Sequence, residues 1–295
     1  MMRYSAGFVV AVDSPLPISV VFTQQSLLRM SRSKRLPCVL TIAGSDPSGS
    51  AGMQADLKTF AAHGVHGLGA IAAITAQNTR EVTAVHVLPA KLLLAQLDAL
   101  HADFNIAAVK IGMLGNAANV RAAARWLHAH RLRNIVLDPV LVSSSGRALL
   151  DARGRAALRD ELLPLADVLT PNLPEARALL GLSDSSEDAV AMAQRLRALG
   201  ARAVLLKGGH ARSTRVVRDV FVDARGAAIY EHARRGYSAR GTGCTLASAI
   251  AAGLVRKRAL RDAVDDAEAY LQAAYARARK TGKSAARVLG HLATI

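Results

Sequence analysis

The chain has 295 residues, 51% of them apolar and 4% aromatic, so one or two domains must bury a core built mainly from Ala, Leu, Val and Ile. Its two cysteines, Cys38 in a hydrophobic run and Cys244 in a glycine turn, make a poor disulfide pair and point to a reducing compartment. The net charge of +16 raises nucleic acid as a partner, but the arginines recur in small groups on separate amphipathic segments with no interleaved aromatics or recognition motif, which reads as solvated helix faces.

Residues 1–35 form a separate compositional region. Gly7 to Phe22 is apolar but broken by Asp13, Pro15 and Pro17, which excludes a spanning helix and makes a poor signal peptide. The expectation is an N-terminal extension, disordered or from a misassigned start, with Met30 as a natural beginning. Residues 36–295 are then one domain, cytoplasmic and without a membrane partner.

From Leu36 onward, short apolar runs alternate with longer amphipathic ones, the pattern of βαβ units and an α/β fold with a mostly parallel sheet. Predicted strands cover Cys38–Ala43, Leu68–Thr75, Val82–Val87, Ala107–Ile111, Ile135–Asp138, Val168–Thr170 and Ala203–Lys207. Predicted helices cover Ala51–Ala62, Pro89–Ala102, Ala117–His130, Asp151–Leu163, Leu173–Leu180, Ser186–Leu199, Thr242–Leu254 and Leu260–Arg279. Val216 to His232 reads as a hairpin turning at Asp223 to Gly226.

Polar and glycine-rich segments follow the strand ends, and ligands of open α/β sheets bind at those ends, so these segments face one cleft. The run Gly241-Thr242-Gly243-Cys244 opens directly into an alanine-rich helix. Glycines let the backbone N–H groups converge, and the helix start leaves its first N–H groups unpaired at the positive end of its dipole, a cradle for phosphate. That field also lowers the pKa of a cysteine, so Cys244 is expected to be partly thiolate near neutral pH. On this stretch alone, a plain turn with a packed thiol explains the residues equally well.

Seven segments in order, TIAGSDPSGSAGMQADLKT, ITAQNT, VKIGML, VLDPV, TPNLPEA, LLKGGH and GTGC, resemble the phosphomethylpyrimidine kinases of thiamine biosynthesis, over about Leu36 to Gly290. The resemblance implies a ribokinase-like three-layer αβα sandwich, ATP and Mg²⁺ as cofactors, a small pyrimidine as substrate and a homodimer. It implies two phosphorylations, of 4-amino-5-hydroxymethyl-2-methylpyrimidine and then of its monophosphate. Cys244 would be the base of the first, and the N–H groups of Gly241, Thr242 and Gly243 would hold the transferring phosphoryl group. Gln77 would read the aminopyrimidine edge, with Gly44, Ala51, Asp56, Met113 and Val140 lining the same pocket. Lys207, Asn172 and Thr242 would meet the nucleotide, and Glu175 with Asp138 the metal. Pyridoxal kinase, of the same superfamily, is the alternative, and a basic nucleic-acid-binding protein a remote one. Two residues depart from the family pattern: Arg240, where a histidine commonly precedes GTGC, and Ser50, where a glycine is usual.

Overall fold

The unbroken apolar runs occupy the middle of a nine-stranded sheet, where helices cover both faces and most positions are buried. The structure, a computed structural model of the chain, describes residues 36–143, 145–183, 188–209 and 215–291. The extension expected at residues 1–35, and His210 of the LLKGGH segment, lie outside the described residues. Residues Leu36–Ile295 form one compact unit. No helix among the described residues is long and apolar enough to cross a membrane.

The strands are β1 (Cys38–Ser45), β2 (His66–Gln77), β3 (Val82–Val87), β4 (Ile106–Ile111), β5 (Ile135–Leu137), β6 (Val168–Leu169), β7 (Val204–Leu206), β8 (Val216–Asp223) and β9 (Gly226–Ala233), arranged in the order β3-β2-β1-β4-β5-β6-β7-β8-β9. From β2 to β7 the pairings are parallel, while β3 at one edge and β8–β9 at the other run antiparallel. The helices are α1 (Gly52–Ala62), α2 (Ala90–Asp103), α3 (Ala117–Ala129), α4 (Ala152–Ala157), α5 (Leu173–Leu180), α6 (Ala189–Ala198), α7 (Thr242–Val255) and α8 (Leu260–Ala276).

Alternation along the strands sorts the helices into two layers. Leu40 and Ile42 of β1 pack with Leu93, Leu97, Val120, Leu179 and Leu196 from α2, α3, α5 and α6. Val39 turns the other way, to Phe60, Ile250, Val264 and Leu271 from α1, α7 and α8. The result is a three-layer αβα sandwich, the architecture that the resemblance implies. In β4 the same alternation sends Val109 and Ile111 to the first layer and Ala108 to the second, which carries Lys110, two positions on, toward α1 and α7.

Four local features differ from the sequence reading. β2 runs two residues past Thr75 because its antiparallel partner β3 keeps pairing with it to Gln77. The helix expected over Asp151–Leu163 stops as α4 at Ala157, followed by a wide turn at Leu158–Leu162 and a tight one at Leu163–Leu165, where Pro164 has no N–H to continue the ladder. α6 begins at Ala189, because the Asp188 carboxylate accepts from the N–H groups of Val190 and Ala191. A two-stranded ribbon, β10 (Ala239–Arg240) with β11 (Arg287–Val288), joins the segment before α7 to the C-terminal residues.

Asn119, buried at the first turn of α3, fastens the ends of three chain segments. Its Nδ2 donates to the carbonyls of Ala72, Leu88 and Leu114 at 3.3, 3.1 and 3.0 Å. Asn119→Ala would strand the Leu88 and Leu114 carbonyls, while Ala72 O keeps the Leu88 N–H, so it should lower unfolding free energy by about 2–3 kcal/mol, read from the urea midpoint.

Candidate active site

The carboxyl ends of the parallel strands open into a cavity of ≈ 570 Å³. Gly44 at the end of β1, Ala51 before α1, Gln77 at the end of β2, and Met113 and Val140 after β4 and β5 line it. Asp138, Asn172, Glu175, Lys207 and the Gly241–Cys244 run line it as well. A second cavity of ≈ 590 Å³ shares Lys207, Thr242 and Gly243 with the first and has Tyr237, Leu246, Leu271 and Tyr275 among its walls. The glycine run therefore lies between two cavities.

Its backbone explains its residues. Gly241, which caps α7, has φ = +77°, and a β-carbon there would fall on the Ser50 carbonyl oxygen. The first helical hydrogen bond runs from Thr245 N–H to Gly241 O at 2.9 Å, which leaves the N–H groups of Thr242, Gly243 and Cys244 without carbonyl partners in their own helix. At Gly243 a β-carbon would stand 3.1 Å from Lys207 Nζ and 3.5 Å from Asp138 Oδ2, so the missing side chain lets the loop close on that ion pair.

Lys207 Nζ meets Asp138 Oδ1 at 2.8 Å. Burial works against the Lys207 ammonium, but Asp138 and Glu175 outweigh it and hold its pKa above the ordinary value. Asn172 and Glu175 form a reciprocal cap on α5: Asn172 Oδ1 accepts from Glu175 N–H at 2.9 Å and Glu175 Oε2 from Asn172 N–H at 2.8 Å. Burial, opposed by Lys207 and reinforced by Asp138, lifts the Glu175 carboxyl to about 7. An anion cradle, a lysine and two crowded carboxylates thus meet at the junction of the cavities.

The family model described as phosphomethylpyrimidine kinase matches residues 46–289. The chain belongs to that family. It is a kinase, a phosphotransferase, as its relatives are. A hydroxymethylpyrimidine/phosphomethylpyrimidine kinase of Rhizobium meliloti is 47% identical over 238 residues, 80% of this chain and 89% of the relative. The solved phosphomethylpyrimidine kinase of Clostridium difficile superposes with a TM-score of 0.71 at 37% identity, over 80% of this chain and 98% of that one. Pyridoxal kinase of Bacillus subtilis, solved with ADP, superposes with 0.79 at 31% identity, over 87% and 98%. Overall shape is thus common to both kinase types, and sequence identity sides with the pyrimidine kinases.

Two expectations for this kinase need correction. The α7 start was expected to draw the Cys244 thiol toward thiolate, yet burial pushes it up to about 11; the Lys110 charge and a hydrogen bond from Gly52 pull the other way and lose. At neutral pH the resting group is the thiol. Asp56 was expected on the pocket wall but has no exposed surface and lies behind it. Its carboxylate binds Lys110 Nζ at 2.8 Å and accepts from Thr41 Oγ1 at 2.6 Å and Ser248 Oγ at 2.8 Å. The apolar surroundings of α1 turn it inward, to the one cation there.

Lys110 itself was missed, although it lines the first cavity. The available signal was a lysine inside the apolar run Ile106–Ile111. Asp46 was also missed: its carboxylate accepts from the N–H groups of Ser48, Ser50 and Ala51 at 2.8, 3.3 and 2.8 Å and shapes the loop into α1. Ser50 sits in that loop without positive φ, so its β-carbon is tolerated. Arg240 is outside the cavity wall; its guanidinium donates to Thr79 O at 3.1 and 2.7 Å and to Arg80 O at 2.9 Å, holding the turn that follows Gln77.

Because removing one member of a buried pair strands the other, Lys110→Met should cost about 3–5 kcal/mol of unfolding free energy. Lys110→Met combined with Asp56→Leu should recover most of that loss in the same urea titration.

Proposed function

We propose that the protein transfers the γ-phosphoryl group of ATP to the hydroxymethyl oxygen of 4-amino-5-hydroxymethyl-2-methylpyrimidine, and then a second one to the resulting monophosphate. The observation that carries this reading is the glycine run between two cavities, since a phosphoryl group must pass between donor and acceptor at one fixed point. The first cavity suits the pyrimidine: Gln77 offers an amide donor and acceptor to the ring nitrogen and amino group, between the apolar walls of Met113 and Val140. The second suits the nucleotide, with apolar and aromatic side chains for a base and Lys207 beside the phosphates.

In the first step the hydroxymethyl oxygen attacks phosphorus, the bond to the ADP oxygen breaks, and the acceptor proton passes to Cys244 in its thiolate form, the minor form at neutral pH. N–H groups of Thr242, Gly243 and Cys244 then stabilise the transferring oxygens, with Lys207 neutralising charge. In the second step the acceptor is already anionic and releases no such proton. Asp138 and Glu175 fit a divalent cation: they are oxygen donors crowded enough that burial and mutual charge lift the Glu175 carboxyl, a condition a cation relieves. Mg²⁺ bound there would offset charge on the nucleotide phosphates.

Assays with ATP that follow monophosphate and diphosphate separately, with pyridoxal as a competing acceptor, test the reading. Absence of any product from the pyrimidine would overturn it, and faster turnover of pyridoxal would favour the pyridoxal kinase alternative. Cys244→Ala should slow the first phosphorylation by about 10²–10⁴-fold and barely change the second. Gly241→Ala should slow both by about 10²-fold. With the folded thiol at about 11, the thiolate fraction grows tenfold per pH unit below that value. The first rate should therefore climb between about pH 7 and 9 while the second stays flat.

A further inference from the structure

Three side chains far apart in sequence meet where β8, β9 and α8 pack together: Asp219, His232 and Glu268. One ligand-capable atom from each lies within 4.8 Å of the others, and no second group of three or more such side chains occurs among the described residues. His232 Nε2 is 3.0 Å from Glu268 Oε2, and the Gly208 N–H donates to Asp219 Oδ1 at 2.6 Å. Asp219 is 6% exposed and Glu268 2%.

The group is short of positive charge. One imidazole, even protonated, faces two buried carboxylates. Glu268 Oε1, on the same carboxylate that meets His232, is buried with no hydrogen-bond partner. Lys207 reaches Asp219 only through space, since its ammonium is bound to Asp138.

We propose that Asp219, His232 and Glu268 bind a divalent transition metal of the Zn²⁺ type, through one imidazole nitrogen and two carboxylate oxygens. An imidazole among the donors disfavours Mg²⁺ and Ca²⁺, which take oxygen ligands, and favours Zn²⁺ and Co²⁺. Three protein ligands leave a coordination position, and Asp219 and His232 line the second cavity, so that position faces solvent there. The metal would join β8, β9 and α8 beneath the Gly208 turn that follows Lys207. None of its ligands is shared with Asp138 and Glu175, and the inference does not depend on the kinase reading.

The test uses the full chain, stripped with a chelator and titrated with Co²⁺, read by visible absorption and by thermal melting. One Co²⁺ per chain should give the d–d band of a low-coordinate site, Zn²⁺ should displace it, and the melting temperature should rise on binding. Glu268→Gln and His232→Gln should each weaken Co²⁺ binding by about tenfold or more and abolish the metal-dependent rise. His101→Gln, at an exposed histidine packed on Trp126 and His130 and away from the three ligands, should leave both readings unchanged. Melting curves without metal identify any variant that does not fold, and Glu268→Gln, which keeps the side-chain shape while removing a charge, then carries the test alone. No saturable band in the wild-type chain, or unaltered affinity in Glu268→Gln, overturns the proposal.

Discussion

A buried lysine–aspartate pair holds together the end of the fold where the parallel strands open into the first cavity. Lys110 comes from β4 and Asp56 from α1, and the hydroxyls that complete the carboxylate's bonding come from Thr41 of β1 and Ser248 of α7. Four elements converge on one ion pair. Taking two charges out of water costs several kcal/mol per ion unless their remaining bonding capacity is met, and here the two hydroxyls help meet it. The pair thereby fixes α7 against the strands. Ser248 lies one helical turn beyond Cys244, so the same ion pair also places the thiol and the glycine run before it.

At the other end of the cavity several groups do two jobs. Asn172 and Glu175 close the first turn of α5 on each other while presenting their remaining atoms to the cavity. A carboxylate held by a backbone N–H bond cannot swing away, so Glu175 stays buried beside Asp138, and burial, with the Asp138 charge added, keeps its pKa raised to about 7. Lys207 is held against Asp138 in the same way. Side chains fixed in this way suit phosphoryl transfer, in which an enzyme contributes mainly position and charge.

Much of this was legible one residue at a time where the physics is local. Gly241 announces a positive φ, and Asn172 with Glu175 three residues on announces a helix cap. Other assignments depended on neighbours that only the fold supplies. Cys244 at a helix start reads as an acidified thiol, because sequence shows the dipole and hides the desolvation that outweighs it. Asp56 reads as a helix-face carboxylate until Lys110 is found opposite it, 54 residues away. Arg240 precedes the phosphate cradle in sequence, yet its guanidinium reaches back to the Thr79 carbonyl and braces the turn after Gln77.

By itself the sequence determined the fold class, the order of most elements, and the family, because hydrophobic period and turn chemistry act over a few residues and seven such segments recur in order. Tertiary structure alone decided the protonation of Cys244, the inward turn of Asp56, the role of Arg240 and the meeting of Asp219, His232 and Glu268. Each of these depends on which charges and donors share a dry site, and that is set by strand order and packing, not by distance along the chain. The seven segments mark where the strands end; the parallel pairing of those strands in one open sheet brings the ends to one place.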